Sequence, residues 1–125
     1  MNLSRETEQM LIMKLLGLGE KTLSTNINDS MIGRRVMVRT YSAGVHFGTL
    51  KEKVGQEAIL TDSRRVFYWT KACSLSQLAM EGSGDIEKCQ IAIEVPEILL
   101  NRVIEVIPMS EKANKQLTEA SLWKK

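Results

Sequence analysis

Residues 39–48 read RTYSAGVHFG, and they place an arginine, a serine, two glycines and the only histidine of the chain in one short stretch. Arginine offers a planar fork of donors for phosphate oxygens, and glycine lets backbone N–H groups turn toward an anion with no Cβ in the way. Arg34, Arg35, Arg64 and Arg65 repeat the cationic theme, while Tyr41, Phe47, Phe67, Tyr68 and Trp69 interleave aromatic faces suited to a nucleobase. Together these residues suggest a small nucleotide-like anion more than a bare phosphate.

Nucleophilic catalysis finds less support. A hydrolase triad needs a nucleophile, an imidazole and a carboxylate converging in space. Here only His46 can be the base, its neighbours are apolar or glycine, and no GxSxG elbow is present. A zinc site would have to recruit Cys73, Cys89 and His46 from three separate elements without a characteristic pair spacing. Most acids fall in turns or on solvated helix faces. The residues therefore nominate no catalytic group, metal or cofactor.

A plainer reading stands beside the nucleotide one. Adjacent arginines at strand starts serve as solvated or ion-paired groups, and Phe67 or Trp69 in a strand serves as core. His46 makes a structural hydrogen bond, and Gly44 and Gly48 simply form a hairpin and a bulge.

The elements that must position these residues follow from periodicity. Over 1–17 an apolar pattern of Met10, Ile12, Met13, Leu15 and Leu16, with Ser4 as N-cap and Gly17 as stop, predicts a helix. Residues 20–33 read as an irregular arm. The period then becomes two: VMVRTY, HFGTLKEK, EAILTD and RRVFYW read as antiparallel strands, broken by Val54-Gly55 and by Asp62-Ser63. ACSLSQLAMEG predicts a short helix. CQIAIEV returns to a strand that Pro96 breaks, NRVIEVI supplies another, and Ser110 caps a terminal helix over 110–123 with Trp123 on its apolar side. The fold class is α+β: an antiparallel sheet of about five or six strands with an N-terminal, a short internal and a C-terminal helix.

Of the 125 residues, 43% are hydrophobic and 26% charged, which fits one domain over 1–125. The net charge of +2 is uneven: residues 34–71 carry +5 and the flanks −3. That modest, local charge, with no nucleic-acid-binding motif, argues against DNA or RNA as partner. Arg5, Glu6, Glu8 and Lys14 interrupt what a signal peptide would keep apolar, and no run is long enough for a membrane span. With two cysteines too few for a disulfide framework, a cytoplasmic protein with reduced thiols is expected.

The strings VRTYSAGVHFGTL, SRRVFYW, ACSLSQLAMEG and VPEILLNRVIEVIP, in this order over about residues 34–108, resemble a family of small bacteriophage proteins, the first type of Thoeris anti-defence sponge. The resemblance implies a binding protein and not an enzyme. Members of that family sequester, intact, the cyclic ADP-ribose isomers made by bacterial TIR-domain proteins, so that the Thoeris effector in the infected host cytoplasm is not switched on. Some members are homohexamers built as trimers of dimers and also hold cyclic trinucleotides of the CBASS defence. The resemblance thus implies cyclic ADP-ribose isomers as ligand, extends the candidates to cyclic trinucleotides or dinucleotides, and implies a homodimer assembling into a homohexamer.

Carried onto the matching strings, the ligand contacts would be Arg39, Tyr41, Ser42, Ala43, Gly44, His46, Phe47 and Gly48, then Arg64, Arg65 and Trp69, then Ser74, Ser76 and Gln77. Ser42 and the nearby amides would meet phosphate or ribose, the arginines would neutralise pyrophosphate, Trp69 or Phe47 would stack adenine, and Gln77 would bond ribose or a base edge.

Overall fold

The computed structural model describes residues 27–123, and the expected helix over 1–17 lies outside them. The chain divides after Ser30 into two units. Of the first, the described part is a single 3-10 turn, Ile27–Asp29. The second holds the sheet and both described helices. Its elements are β1 (Arg35–Thr40), β2 (Val45–Val54), β3 (Glu57–Tyr68), α1 (Leu75–Glu81), β4 (Gln90–Ile91), β5 (Val95–Leu100), β6 (Val103–Pro108) and α2 (Glu111–Thr118). The class is α+β, with six antiparallel strands in the order β4-β3-β2-β1-β6 and β5 also paired to β3.

The sheet cannot be flat. Leu100 pairs with Ala58 on β3, and Val103, only three residues on, pairs with Thr40 on β1. Three residues reach at most about 11 Å. In a flat sheet β5 and β6 would be four strand spacings apart, about 19 Å. The sheet therefore curls until its two edges meet at the Asn101-Arg102 turn, where the Val103 N–H donates to the Gln56 carbonyl at the tip of the β2–β3 hairpin.

Curling gives two cores, one on each face. Inside lie Val36, Val38, Leu50, Ala58, Leu60, Leu100 and Val103, drawn from five strands. Outside, Met37, Val45, Phe47 and Val66 are covered by Leu78 and Ala79 of α1, Leu117 of α2 and Ile91. This explains why Val36, Met37 and Val38 are all completely buried although a one-faced strand would alternate.

Several expected boundaries move. Asp62-Ser63 is no turn: β3 runs through it with a bulge, Phe47 facing Arg64 while Thr49 faces Thr61. Asp62 takes a φ of 48°, a left-handed conformation that Asp tolerates better than most residues, and so absorbs the extra residue without ending the strand. Pro96 does not break a strand; it lies within β5, which among the described residues pairs with β3 alone, an edge position that tolerates the missing N–H. CQIAIEV is divided: Gln90–Ile91 form β4, residues 92–94 belong to neither strand, and Val95 opens β5.

The last helix stops at Thr118, not Trp123. Beyond it the chain doubles back, the Trp123 N–H donating to the Ile91 carbonyl and the Trp123 ring packing on Phe67 at 5.1 Å. By contrast the Val54-Gly55 turn stands as expected, with Gly55 at a φ of 56°. Ser74 and Ser110 cap α1 and α2 by accepting from the Gln77 and Ala113 amides.

Candidate functional site

The curled sheet leaves a cleft of about 200 Å³ at one end of its inner face. His46 on β2 and Ser63 on β3 line it from the sheet, and Val95 and Ile98 of β5 from the side. Arg65, Phe67, Ala92 and Ile93 complete the lining. The bulge at Asp62-Ser63 and the gap in pairing at residues 93–94 border this space, while the Ala92 N–H still donates to the Arg65 carbonyl. Among the described residues no carboxylate lines the cleft.

His46 pairs with Arg65 across the ladder, and its Nε2 lies 3.0 Å from the Ala43 carbonyl oxygen. A carbonyl only accepts, so Nε2 carries the proton. Burial pushes the imidazole pKa down, the bond to Ala43 pulls it up, and the nearby Arg65 charge lowers it further; the ring is neutral near pH 7. Arg65 lies over the Phe67 ring at 5.4 Å, and Phe67 is 52% exposed, so cation and aromatic face are presented together.

A second cation–aromatic pair lies at the β1–β2 loop. Arg102 stacks over exposed Tyr41 at 4.4 Å, and the Tyr41 N–H donates to the Arg102 carbonyl. The loop closes on itself: the Thr40 hydroxyl accepts from the Ala43 N–H and donates to the Gly44 carbonyl, with Gly44 at a φ of 85°. The Ala43 amide is therefore engaged within the loop, while the Ser42 side chain is exposed. Arg39, on the outer face of β1, meets Glu105 at 3.2 Å.

The remaining expected contacts separate from this region. Arg64 is buried, and its guanidinium donates to the carbonyls of Ile91, Ala92, Leu117, Thr118 and Ala120 at 2.7–3.2 Å. It ties the end of α2, where helix carbonyls lack partners, to the β4–β5 connection. These bonds commit it to the fold and away from pyrophosphate. Arg35 is a similar staple, donating to Asn114, Thr49, the Asp62 carbonyl and Thr118. Phe47 is completely buried beneath the helices and has no face for adenine. Trp69 packs against that same outer core.

Gly48 lies against Ser63 on the inner face. At α1, Ser74 is the N-cap, Ser76 is exposed, and Gln77 accepts from the Cys73 N–H and donates to Glu81. Thus His46 and Arg65 share the cleft, Tyr41 to Gly44 form the neighbouring loop, and the α1 residues belong to the outer layer.

Sequence reasoning missed Ser63, Ile93 and Arg102. Ser63 was hidden by reading Asp62-Ser63 as a turn; the lack of any glycine or proline between two alternating runs was the available sign of a bulge. Arg102 pairs with Tyr41 only through the curl of the sheet, which no local pattern reveals.

Among the described residues no group of three His, Cys, Asp or Glu side chains is placed to hold a metal, and no helix is long and apolar enough to cross a membrane. No curated protein matches the chain. A family profile does match, over residues 33–117, from just before β1 to the last turn of α2. With the whole curled sheet inside that match, the chain belongs to the DUF6948 family, a domain of unknown function.

Proposed function

We propose that this protein is a bacteriophage anti-defence sponge that binds cyclic nucleotide immune signals, cyclic ADP-ribose isomers foremost, and holds them without cleaving them. The observation that carries the reading is the pairing of two arginines with exposed rings, Arg65 on Phe67 and Arg102 on Tyr41, neither arginine forming an ion pair with a described carboxylate. Such pairs suit a ligand that is both flat and anionic. The resemblance of the strings over 34–108 to the Thoeris sponge family points the same way.

A sponge needs affinity below the signal concentration, and nanomolar binding corresponds to about −12 kcal/mol. One small cleft and a few exposed rings supply little of that, so burial of the signal between copies of a homodimer, itself assembled into a homohexamer, belongs to the proposal. Cyclic trinucleotides or dinucleotides are further candidate ligands.

The test is to incubate the purified protein with a cyclic ADP-ribose isomer, remove free ligand, heat the protein and identify what is released by mass spectrometry. The intact isomer is expected. Recovery of a cleaved product would establish an enzyme in place of a sponge, and release of no nucleotide would reduce the chain to a structural or interaction module.

A further inference from the structure

Ser63 is the anomaly of the inner face. Its side chain is completely buried, yet Oγ has no hydrogen-bond partner among the described residues. Buried hydroxyls are rarely left in that state, because desolvation is then uncompensated. The residue lines the cleft at the end of the curled sheet. His46 lines the same cleft and brings a second unused group: with Nε2 protonated toward the Ala43 carbonyl, Nδ1 of the neutral ring is an acceptor, and no described group bonds to it.

The rest of the lining says what kind of ligand would meet these two atoms. Val95 and Ile98 make the wall apolar, Phe67 contributes a half-exposed ring that also packs on Trp123, and the cation, Arg65, lies over that ring. A phosphate drawn fully inside would surrender its hydration to an apolar wall. A flat ring would bury its faces there and keep a charged substituent near Arg65. The cleft, about 200 Å³, falls below the usual 300–1,000 Å³ of drug-sized pockets, so it takes one ring and not a dinucleotide.

We propose that this cleft seats one nitrogen heteroaromatic ring of the amino-substituted nucleobase class, its N–H edge turned inward to His46 Nδ1 and Ser63 Oγ and its anionic substituents held outside beside Arg65. The proposal rests on the nucleotide-binding reading and deepens it by separating the seat of the base from the seat of the phosphates. Ser63 accepts or donates as the base edge requires, whereas Nδ1 demands a donor.

The experiment compares adenosine with purine riboside, which has the same ring without the amino group, by heteronuclear NMR titration of the wild type and of Ser63→Ala and Phe67→Ala. Adenosine is expected to bind the wild type about tenfold or more tighter than purine riboside, with shifts centred on His46, Ser63 and Phe67. Ser63→Ala should shrink that preference and Phe67→Ala should weaken both ligands. Equal binding of the two nucleosides, shifts elsewhere, or no response to millimolar adenosine overturns the proposal. A cyclic ADP-ribose isomer titrated in parallel separates the two readings: isomer bound with no adenosine preference removes the base seat and keeps the sponge, whereas adenosine seated with the isomer unbound does the reverse.

Discussion

Gly48 and Ser63 pack with no room for a methyl group between them: a Cβ at position 48 would lie 2.8 Å from the Thr61 carbonyl oxygen and 3.2 Å from the Ser63 Cβ. The close approach lets the β3 bulge settle against β2. Gly48→Ala must push backbone aside in both strands, and overpacking of this kind costs about 1–3 kcal/mol. Urea unfolding should show that loss as a lower midpoint; an unchanged midpoint would mean that the bulge yields freely.

Ser63 itself predicts the opposite sign. Removing a buried hydroxyl that has no partner among the described residues returns its desolvation cost, about 1 kcal/mol or more. Ser63→Ala should therefore unfold at higher denaturant than the wild type in the absence of ligand. A less stable variant would show that Oγ already has a partner, such as a bound water.

How much of this was legible in the sequence depends on the reach of each interaction. Ser110 as a cap and Gly55 as a turn are local effects, and each lies where the pattern placed it. Arg64 was not legible. Its guanidinium meets carbonyls 27 to 56 residues away, so nothing beside it distinguishes a buried staple from a phosphate ligand. Phe47 misled for the same reason: only the helices laid over the outer face make it core. The early end of α2 is also non-local, since the Trp123 amide is drawn to Ile91 and the helix-end carbonyls to Arg64.

Arg64→Met tests the staple. It leaves carbonyls of β4, the β4–β5 connection and the end of α2 without their charged donor. Hydrogen bonds to charged groups contribute about 1.5–3 kcal/mol each, and their losses here are not additive, so a drop of about 3 kcal/mol or more is expected. Hydrogen exchange should accelerate first at the Trp123 amide, whose acceptor Ile91 is held by Arg64. Arg64→Lys should recover only part, because an ammonium lacks the planar fork.

His46 predicts a pH dependence. Its folded-state pKa lies below the ordinary value of 6.5, mainly through burial. As pH falls through 6.5 the unfolded chain takes up a proton that the folded chain resists, so stability declines with falling pH until the folded pKa is reached. His46→Gln cannot titrate. The difference in unfolding free energy between wild type and variant should therefore slope between pH 7.5 and 5.5, with the wild type losing relative stability toward the acid end. A flat difference would mean that the imidazole takes up a proton as readily in the folded chain as in the unfolded one.

The arginines divide by what already occupies them, and binding should follow that division. Arg39 spends its charge on Glu105, an exposed pair of small energetic value, so Arg39→Ala should change stability by less than about 1 kcal/mol. Arg65 and Arg102 lie on exposed rings and have no described carboxylate to neutralise them. If they meet the pyrophosphate, Arg65→Ala or Arg102→Ala should weaken binding of a cyclic ADP-ribose isomer by about 1.5–3 kcal/mol in calorimetry, with the fold unchanged by circular dichroism. Raising the salt concentration should weaken the wild type more than either variant, because screening acts on the charge that the variant has lost. Equal affinity across wild type, Arg65→Ala and Arg102→Ala would place the phosphates elsewhere on the molecule.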